Sequence, residues 1–265
     1  MRAITENEFK TALAEVGISN GQTIMVHSDL TRIGWVADAK SRTDVLDFYF
    51  KSLLKQVGAE GTLVVLTCTE SFARDNVPFN YEQSPSEQGV LSEFIRNKNG
   101  SIRSMHPLFS VAAYGAKSRR ICGSEICNTG FGYGSPFQKL YEMDAQILCI
   151  GVDLLSITFV HHVEQMYGVP YGYTKEWDNK IYRGGKISDE RFFAFVRYLD
   201  SDINYNFSKM QNLMLENGLA KKSPLGLGAI WAVSARDIFN FGIEQLRKDP
   251  FFFLDRVPRK QPWKK

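Results

Sequence analysis

Residues Thr62-Leu63-Val64-Val65-Leu66-Thr67 form an unbroken run of apolar and β-branched side chains. A strand with one wet face alternates apolar and polar residues, so a run without alternation has both faces covered. Such a strand needs packing layers on either side of its sheet, and the surrounding sequence supplies them. Thr5 and Glu8 read as a capping box, behind which Phe9, Ala12, Leu13 and Val16 share one helical face up to Gly17. Thr23 to His27 reads as a short strand, Asp44 to Val57 as a helix ended by Gly58, Val90 to Asn97 as a helix and Phe109 to Tyr114 as a strand. Ser135-Pro136 marks a further helix start, with serine as N-cap and proline in the first turn. That helix leads into a strand over Gln146 to Val152, and Thr158 to Tyr167 follows as a helix. The alternation predicts an α/β fold, a mixed sheet sandwiched by helices.

Beyond Pro170 the composition changes. Tyr171, Tyr173, Trp177, Tyr182, Phe192, Phe193, Phe195 and Tyr198 make this stretch rich in aromatics. It reads as an α+β portion: a hairpin or strand over Ile181 to Ile187, a helix over Asp189 to Tyr198 and a last helix over Ala235 to Arg247. With 265 residues, 44% hydrophobic and 23% charged, one domain with a sizeable core is expected. Only Pro258 to Lys265, basic and proline-bearing, reads as disordered. Cys68, Cys122, Cys127 and Cys149 lack CxxC spacing and read as reduced thiols. No apolar stretch follows Met1-Arg2-Ala3 and no run is long enough to span a bilayer, so a cytoplasmic protein without membrane association is expected. The net charge of +3 is too mild for a dedicated nucleic-acid binder.

The most informative cluster is Thr158-Phe159-Val160-His161-His162-Val163-Glu164. On a helix, the i, i+3 spacing puts His161 and Glu164 on one face. A carboxylate there orients an imidazole and raises its basicity, which is what a general base near neutral pH requires. The same spacing also fits a surface pair without a role. Adjacent histidines on a helix point about 100° apart, and no third ligand accompanies them, so no metal is expected. Three other segments stand out. Val26 to Val36, with Ser28, Asp29, Leu30 and Gly34, is a strand end whose backbone amides suit the amides or phosphates of a long cofactor arm, or form an ordinary loop. Arg103-Ser104-Met105-His106-Pro107, followed by Phe109 and Ser110, reads as a phosphate clamp or a polar turn. Gly132 to Pro136 is a helix start first and an anion site second. No Gly-x-Ser-x-Gly elbow, Walker loop or dinucleotide fingerprint is present, and Cys68 has no visible activating partner.

Taken in order, these segments resemble the aminoglycoside 3-N-acetyltransferase family, the antibiotic N-acetyltransferases distinct from the GNAT fold. The resemblance covers residues about 5 to 170 and rests on five motifs: His27-Ser28-Asp29-Leu30 with Ile33-Gly34, Gly61 to Thr67, Arg103 to Pro107 with Ser110, Gly132 to Pro136, and Thr158 to Glu164. It implies acetyl-CoA as donor and direct transfer to an amine, with no acyl-enzyme. It implies a single acetyltransferase domain over 1–265, with residues 1–170 as the CoA-binding and catalytic core and residues 171–265 as acceptor-side and C-terminal elements. It implies His161 and Glu164 at the catalytic centre. It implies Ser28, Asp29, Leu30, Gly34, Arg103, Ser104, Phe109 and Ser110 around the CoA arm and phosphates, and Thr67, Glu70, Thr158, Tyr171 and Trp177 on the acceptor side. The chain departs from the family pattern in having Asp29 for a second serine and Leu66 for a proline. Many members acting on antibiotics also carry a histidine a few residues before Gly-x-Gly-Ser-Pro, where this chain has Glu125-Ile126-Cys127-Asn128-Thr129. His161 is then expected to move the proton with Glu164 alone or with a non-histidine partner.

Aminoglycosides are polycations and call for carboxylates. This chain is net basic, and its aromatics beyond Pro170 are interspersed with Lys175, Lys180, Arg183 and Lys186. The expected acceptor is therefore an amino sugar, nucleotide-linked and used in surface-polysaccharide synthesis, taken by a monomer or homodimer. An aminoglycoside acceptor and a non-catalytic CoA- or carbohydrate-binding protein are the alternatives.

Overall fold

The computed structural model describes residues 3–123, 126–199 and 201–264. Along the chain come α1 (Glu6–Glu15), β1 (Thr23–Ser28), α2 (Arg42–Val57), β2 (Thr62–Leu66), α3 (Glu70–Arg74), β3 (Phe79–Asn80) and α4 (Val90–Arg96). Then follow β4 (Ile102–Arg103), β5 (Val111–Gly115), α5 (Ser118–Cys122), α6 (Pro136–Glu142), β6 (Gln146–Ile150) and α7 (Val160–Tyr167). The remainder holds β7 (Gly172–Glu176), β8 (Ile181–Arg183), β9 (Lys186–Ile187), β10 (Phe193–Arg197), α8 (Ser208–Glu216), β11 (Ala220–Leu225), β12 (Gly228–Ser234) and α9 (Ala235–Lys248).

Seven strands form the central sheet in the order β11-β12-β6-β1-β2-β5-β4. β1 runs parallel to both β2 and β6, while β12, β5, β11 and β4 add antiparallel strands on the flanks, so the sheet is mixed. The apolar run Thr62 to Leu66 is β2, buried at all five positions. Its alternate residues enter two separate cores. Leu63 and Val65 pack with Ile24, Leu148 and the apolar faces of α1, α2 and α4; Val64 and Leu66 pack with Met25, Ile147 and the faces of α6, α7 and α9. The sandwich thus follows from β2's lack of alternation. Local signals hold as well: Thr5 with Glu8 makes a capping box, Ser135 caps α6 with Pro136 in its first turn, and Gly58 ends α2.

Two expectations fail. Asp189 to Tyr198 is not helical; Phe193–Arg197 is strand β10, paired antiparallel with β7. The run Phe-Phe-Ala-Phe-Val suits a pleated surface, and a partner strand some twenty residues upstream supplies the ladder that no local signal announces. The tail also differs: Trp263 lies against Phe251 and Tyr198, with ring centroids at 6.3 and 5.8 Å, while Lys265 is outside the described residues. The hairpin β11–β12, turned at Gly226 to Gly228, was not among the expectations, and it completes one side of the central sheet.

Candidate active site

α7 starts after a 3-10 turn, Leu154–Ser156, and closes on Gly168, whose left-handed backbone lets its N–H reach the Glu164 carbonyl at 2.9 Å. One face, Val160 and Val163, enters the core against α9. His162 lies on that buried side with Nδ1 2.5 Å from the Phe131 carbonyl, and burial lowers its proton affinity. His161 points elsewhere. Its Nδ1 stands 2.6 Å from Glu164 Oε2, and its side chain is 26% exposed while that of Glu164 is 0% exposed. With the carboxylate as acceptor, Nδ1 carries the proton and Nε2 presents its lone pair.

Glu164 is surrounded by donors. The Tyr171 hydroxyl donates to Oε1 at 2.6 Å and the Tyr205 hydroxyl to Oε2 at 3.3 Å. Burial and the adjacent Glu164 carboxylate push both phenols above their ordinary range, so they remain protonated donors. The His161 ring is boxed by Phe131 at 5.4 Å, Tyr205 at 5.3 Å and Phe207 at 6.5 Å between centroids. It opens into a cavity of about 510 Å³. The cavity wall includes Glu70, Phe109 and Phe131, together with Tyr173, Lys175 and Trp177 from the β7 side and Phe195 and Arg197 from β10.

The structure brings some of the expected site residues together and separates others. Glu70, Phe109 and Trp177 share the cavity with His161. Thr158 gives its carbonyl to the His161 N–H at 3.1 Å and does not line the cavity. Tyr171 is fully buried; it donates to Glu164 and does not line the cavity. Thr67 and Ser110 are buried and bonded to each other at 2.8 Å. Ser104 is buried, its hydroxyl accepting from the Val111 N–H at 2.9 Å. Arg103 is taken up within the protein. It is 7% exposed, and it donates to Ser110 Oγ, the Ser84 and Thr67 carbonyls and Thr69 Oγ1 at 2.6–3.2 Å. Its guanidinium, pushed down to about 10 by burial, braces the β4–β5 turn to the end of β2. His106 locks the same turn: Nδ1 accepts from the Leu108 and Phe109 N–H groups, and Nε2 meets the Phe193 carbonyl at 3.0 Å.

Ser28, Asp29, Leu30 and Gly34 lie elsewhere, at the end of β1. Asp29 caps the turn Leu30–Arg32, accepting from Thr31 Oγ1 at 2.5 Å and pairing with Arg32 at 3.0 Å. Leu30 and Gly34 line a second groove, about 500 Å³, whose walls are Trp35, Val45, Leu46 and Val90. Tyr205 and Arg197 were missed in the sequence. Tyr205 sits in Asn204-Tyr205-Asn206, without periodicity, and its contacts with His161 and with Glu164 41 residues away reveal it. The stretch before Gly132 holds no histidine, and Glu125 lies outside the described residues. Among the described residues, no three His, Cys, Asp or Glu side chains gather as a metal site, and no helix is long and apolar enough to cross a membrane. The four cysteines are free thiols, three of them buried.

An imidazole fixed by a buried carboxylate and opening into an aromatic cavity, on a two-cored α/β sheet, can take a proton from a nucleophile as it attacks. Residues 25–247 match the aminoglycoside 3-N-acetyltransferase family, and the chain belongs to it. It is therefore an acetyltransferase. Aminoglycoside N(3)-acetyltransferase IV from a Salmonella species is 28% identical over 245 residues, 91% of this chain and 87% of that one. The structure of an aminoglycoside acetyltransferase AAC(3)-IVa histidine-to-alanine mutant in complex with a gentamicin superposes with a TM-score of 0.81 at 25% identity, covering 97% of this chain and 93% of the other. AAC-IIIb, solved as a binary complex with CoASH, shares the fold with a TM-score of 0.79 at 24% identity, covering 97% and 100%.

Proposed function

We propose that this chain moves an acetyl group from acetyl-CoA directly to an amine of an amino sugar, with His161 as general base and Glu164 as its orienting partner. The 2.6 Å contact between His161 Nδ1 and the sealed Glu164 carboxylate, at the edge of the cavity, carries the reading. The amine nitrogen attacks the thioester carbonyl carbon. As the C–N bond forms, Nε2 of His161 takes the amine proton. The C–S bond then breaks with its electron pair on sulfur, and the imidazolium returns the proton to the CoA thiolate. Residues 1–170 supply the base and a groove at Leu30 and Gly34 that suits an uncharged pantetheine arm. From residues 171–265, the β7–β10 ribbon supplies the acceptor wall.

The relatives named above carry aminoglycosides in their names, and this supports an aminoglycoside as acceptor over the nucleotide-linked sugar expected from net charge. A net charge of +3 is a property of the whole surface and does not by itself specify what one cavity binds. The test is release of CoA thiol on adding an aminoglycoside to protein and acetyl-CoA, with mass spectrometry of the N-acetylated product. No thiol release with any amino sugar would sink the proposal and favour a non-catalytic binding protein.

A further inference from the structure

The charges inside the cavity form a pattern that the acetyl-transfer step does not use. Lys175, on β7, directs its ammonium over the Trp177 ring, 5.0 Å from the centroid. Arg197, on β10, places its guanidinium over the Tyr205 ring at 5.1 Å and donates through Nη1 to the Ile203 carbonyl at 3.0 Å. Both side chains line the cavity that holds His161. Among the described residues, neither is in an ion pair. A cation seated on an aromatic face and a carbonyl keeps its charge available to a ligand.

The carboxylates nearby are already engaged. Glu70 accepts from the Gln88 amide at 2.9 Å and stands 3.8 Å from Arg74. Arg74 itself is forked onto Asp75 at 3.0 Å. Glu164 lies below the cavity with no exposed surface and three donors on its two oxygens. Among the described residues lining the cavity, a polycationic acceptor meets one carboxylate, Glu70, against three cations, two of them outside any ion pair. An acceptor with one amine and an anionic group meets complementary charge.

The CoA arm does not account for the pair. The thioester end and the pantetheine chain are uncharged, and the phosphates sit at the far end of that arm. Tyr173 and Trp177 also present aromatic faces in the cavity, suited to stacking on a sugar or base ring.

We infer that Lys175 and Arg197 select the acceptor by charge, so that this site prefers an amino sugar bearing a phosphate or carboxylate group to a polycationic one. The inference rests on the cavity being the acceptor site of the proposed acetyltransferase; on the acceptor it departs from the aminoglycoside that the relatives' names support, and an acceptor panel separates the two.

The test uses the full chain and matched acceptors: glucosamine, glucosamine 6-phosphate, a nucleoside-diphosphate-linked amino sugar, an amino uronate and an aminoglycoside. Thiol release gives kcat/KM for each, and calorimetry gives binding without turnover. The expected result is a kcat/KM for a phosphorylated or carboxylated amino sugar at least about tenfold above that for glucosamine, collapsing in Lys175→Glu and Arg197→Gln. The phosphate and uronate arms tell which anion is read. Anionic sugars that bind in a Lys175-dependent manner without thiol release would support the charge selection and overturn the acetyl-transfer reading. Turnover that is unaffected by the anion, or that rises with the number of amines, would overturn the charge selection and leave acetyl transfer standing. A Lys175→Glu effect confined to the KM for acetyl-CoA would also overturn it, by assigning the cations to the CoA phosphates.

Discussion

His161 owes its orientation to Glu164, and Glu164 owes its own to two phenols. A buried carboxylate that loses a donor is left partly unsatisfied, a cost of about 1–3 kcal/mol. Tyr171→Phe is therefore expected to lower kcat about tenfold with little change in the KM for either substrate. An unchanged kcat in steady-state kinetics would show that Tyr171 only fills space. His106 makes a separate prediction. Burial lowers it from 6.5 to about 4, so the unfolded chain takes up the proton first as the solution is acidified. The stability tied to this group is whole above about pH 6.5 and is lost as pH falls toward 4, on the order of 3 kcal/mol in all. His27, also held near 4 by burial, acts in the same direction. Urea midpoints should fall between pH 7 and pH 4.5, and a His106→Gln chain should start lower and show a shallower fall. His161 and Glu164 were legible in the sequence because i, i+3 spacing on a helix fixes their proximity. Tyr205 was not, because proximity made by tertiary folding leaves no local spacing to read.

At the scale of elements, the loop after β1 is held by two close approaches of glycine backbone. A Cβ on Gly151 would stand 2.1 Å from the Asp29 carbonyl oxygen, and one on Gly226 would stand 2.2 Å from that of Ile33. Both glycines have positive φ, +71° and +56°. Gly151→Ala combines left-handed strain with a backbone clash, and it is expected to lower Tm by roughly 5 °C or more and weaken acetyl-CoA binding. Wild-type melting and affinity would detach this loop from the groove proposed for CoA. Helices with a strong period, such as α2 and α9, and the unbroken apolar run of β2 were readable from the sequence. The β7–β10 ribbon was not, since its pairing joins Phe193 to Glu176 and Phe195 to Thr174, and aromatics in Phe192 to Tyr198 fit a helical face as well as a strand.

For the molecule as a whole, the seven-stranded sheet with a core on each face was implied by β2, while the β11–β12 hairpin that extends the sheet beyond β6 was not. Its exposed positions, Lys221, Lys222 and Pro224, mask the strand pattern along β11. Val160 and Val163 seat α7 in the core it shares with α9, and this places His161 at the edge of the cavity. The central claim is that this imidazole removes the amine proton during acetyl transfer. Single-turnover release of CoA thiol by wild type and His161→Asn, with the acetyl-CoA affinity of each measured alongside, tests it most directly. The predicted result is a loss on the order of 10²-fold or more in rate with affinity unchanged. A His161→Asn rate within a few-fold of wild type would contradict it.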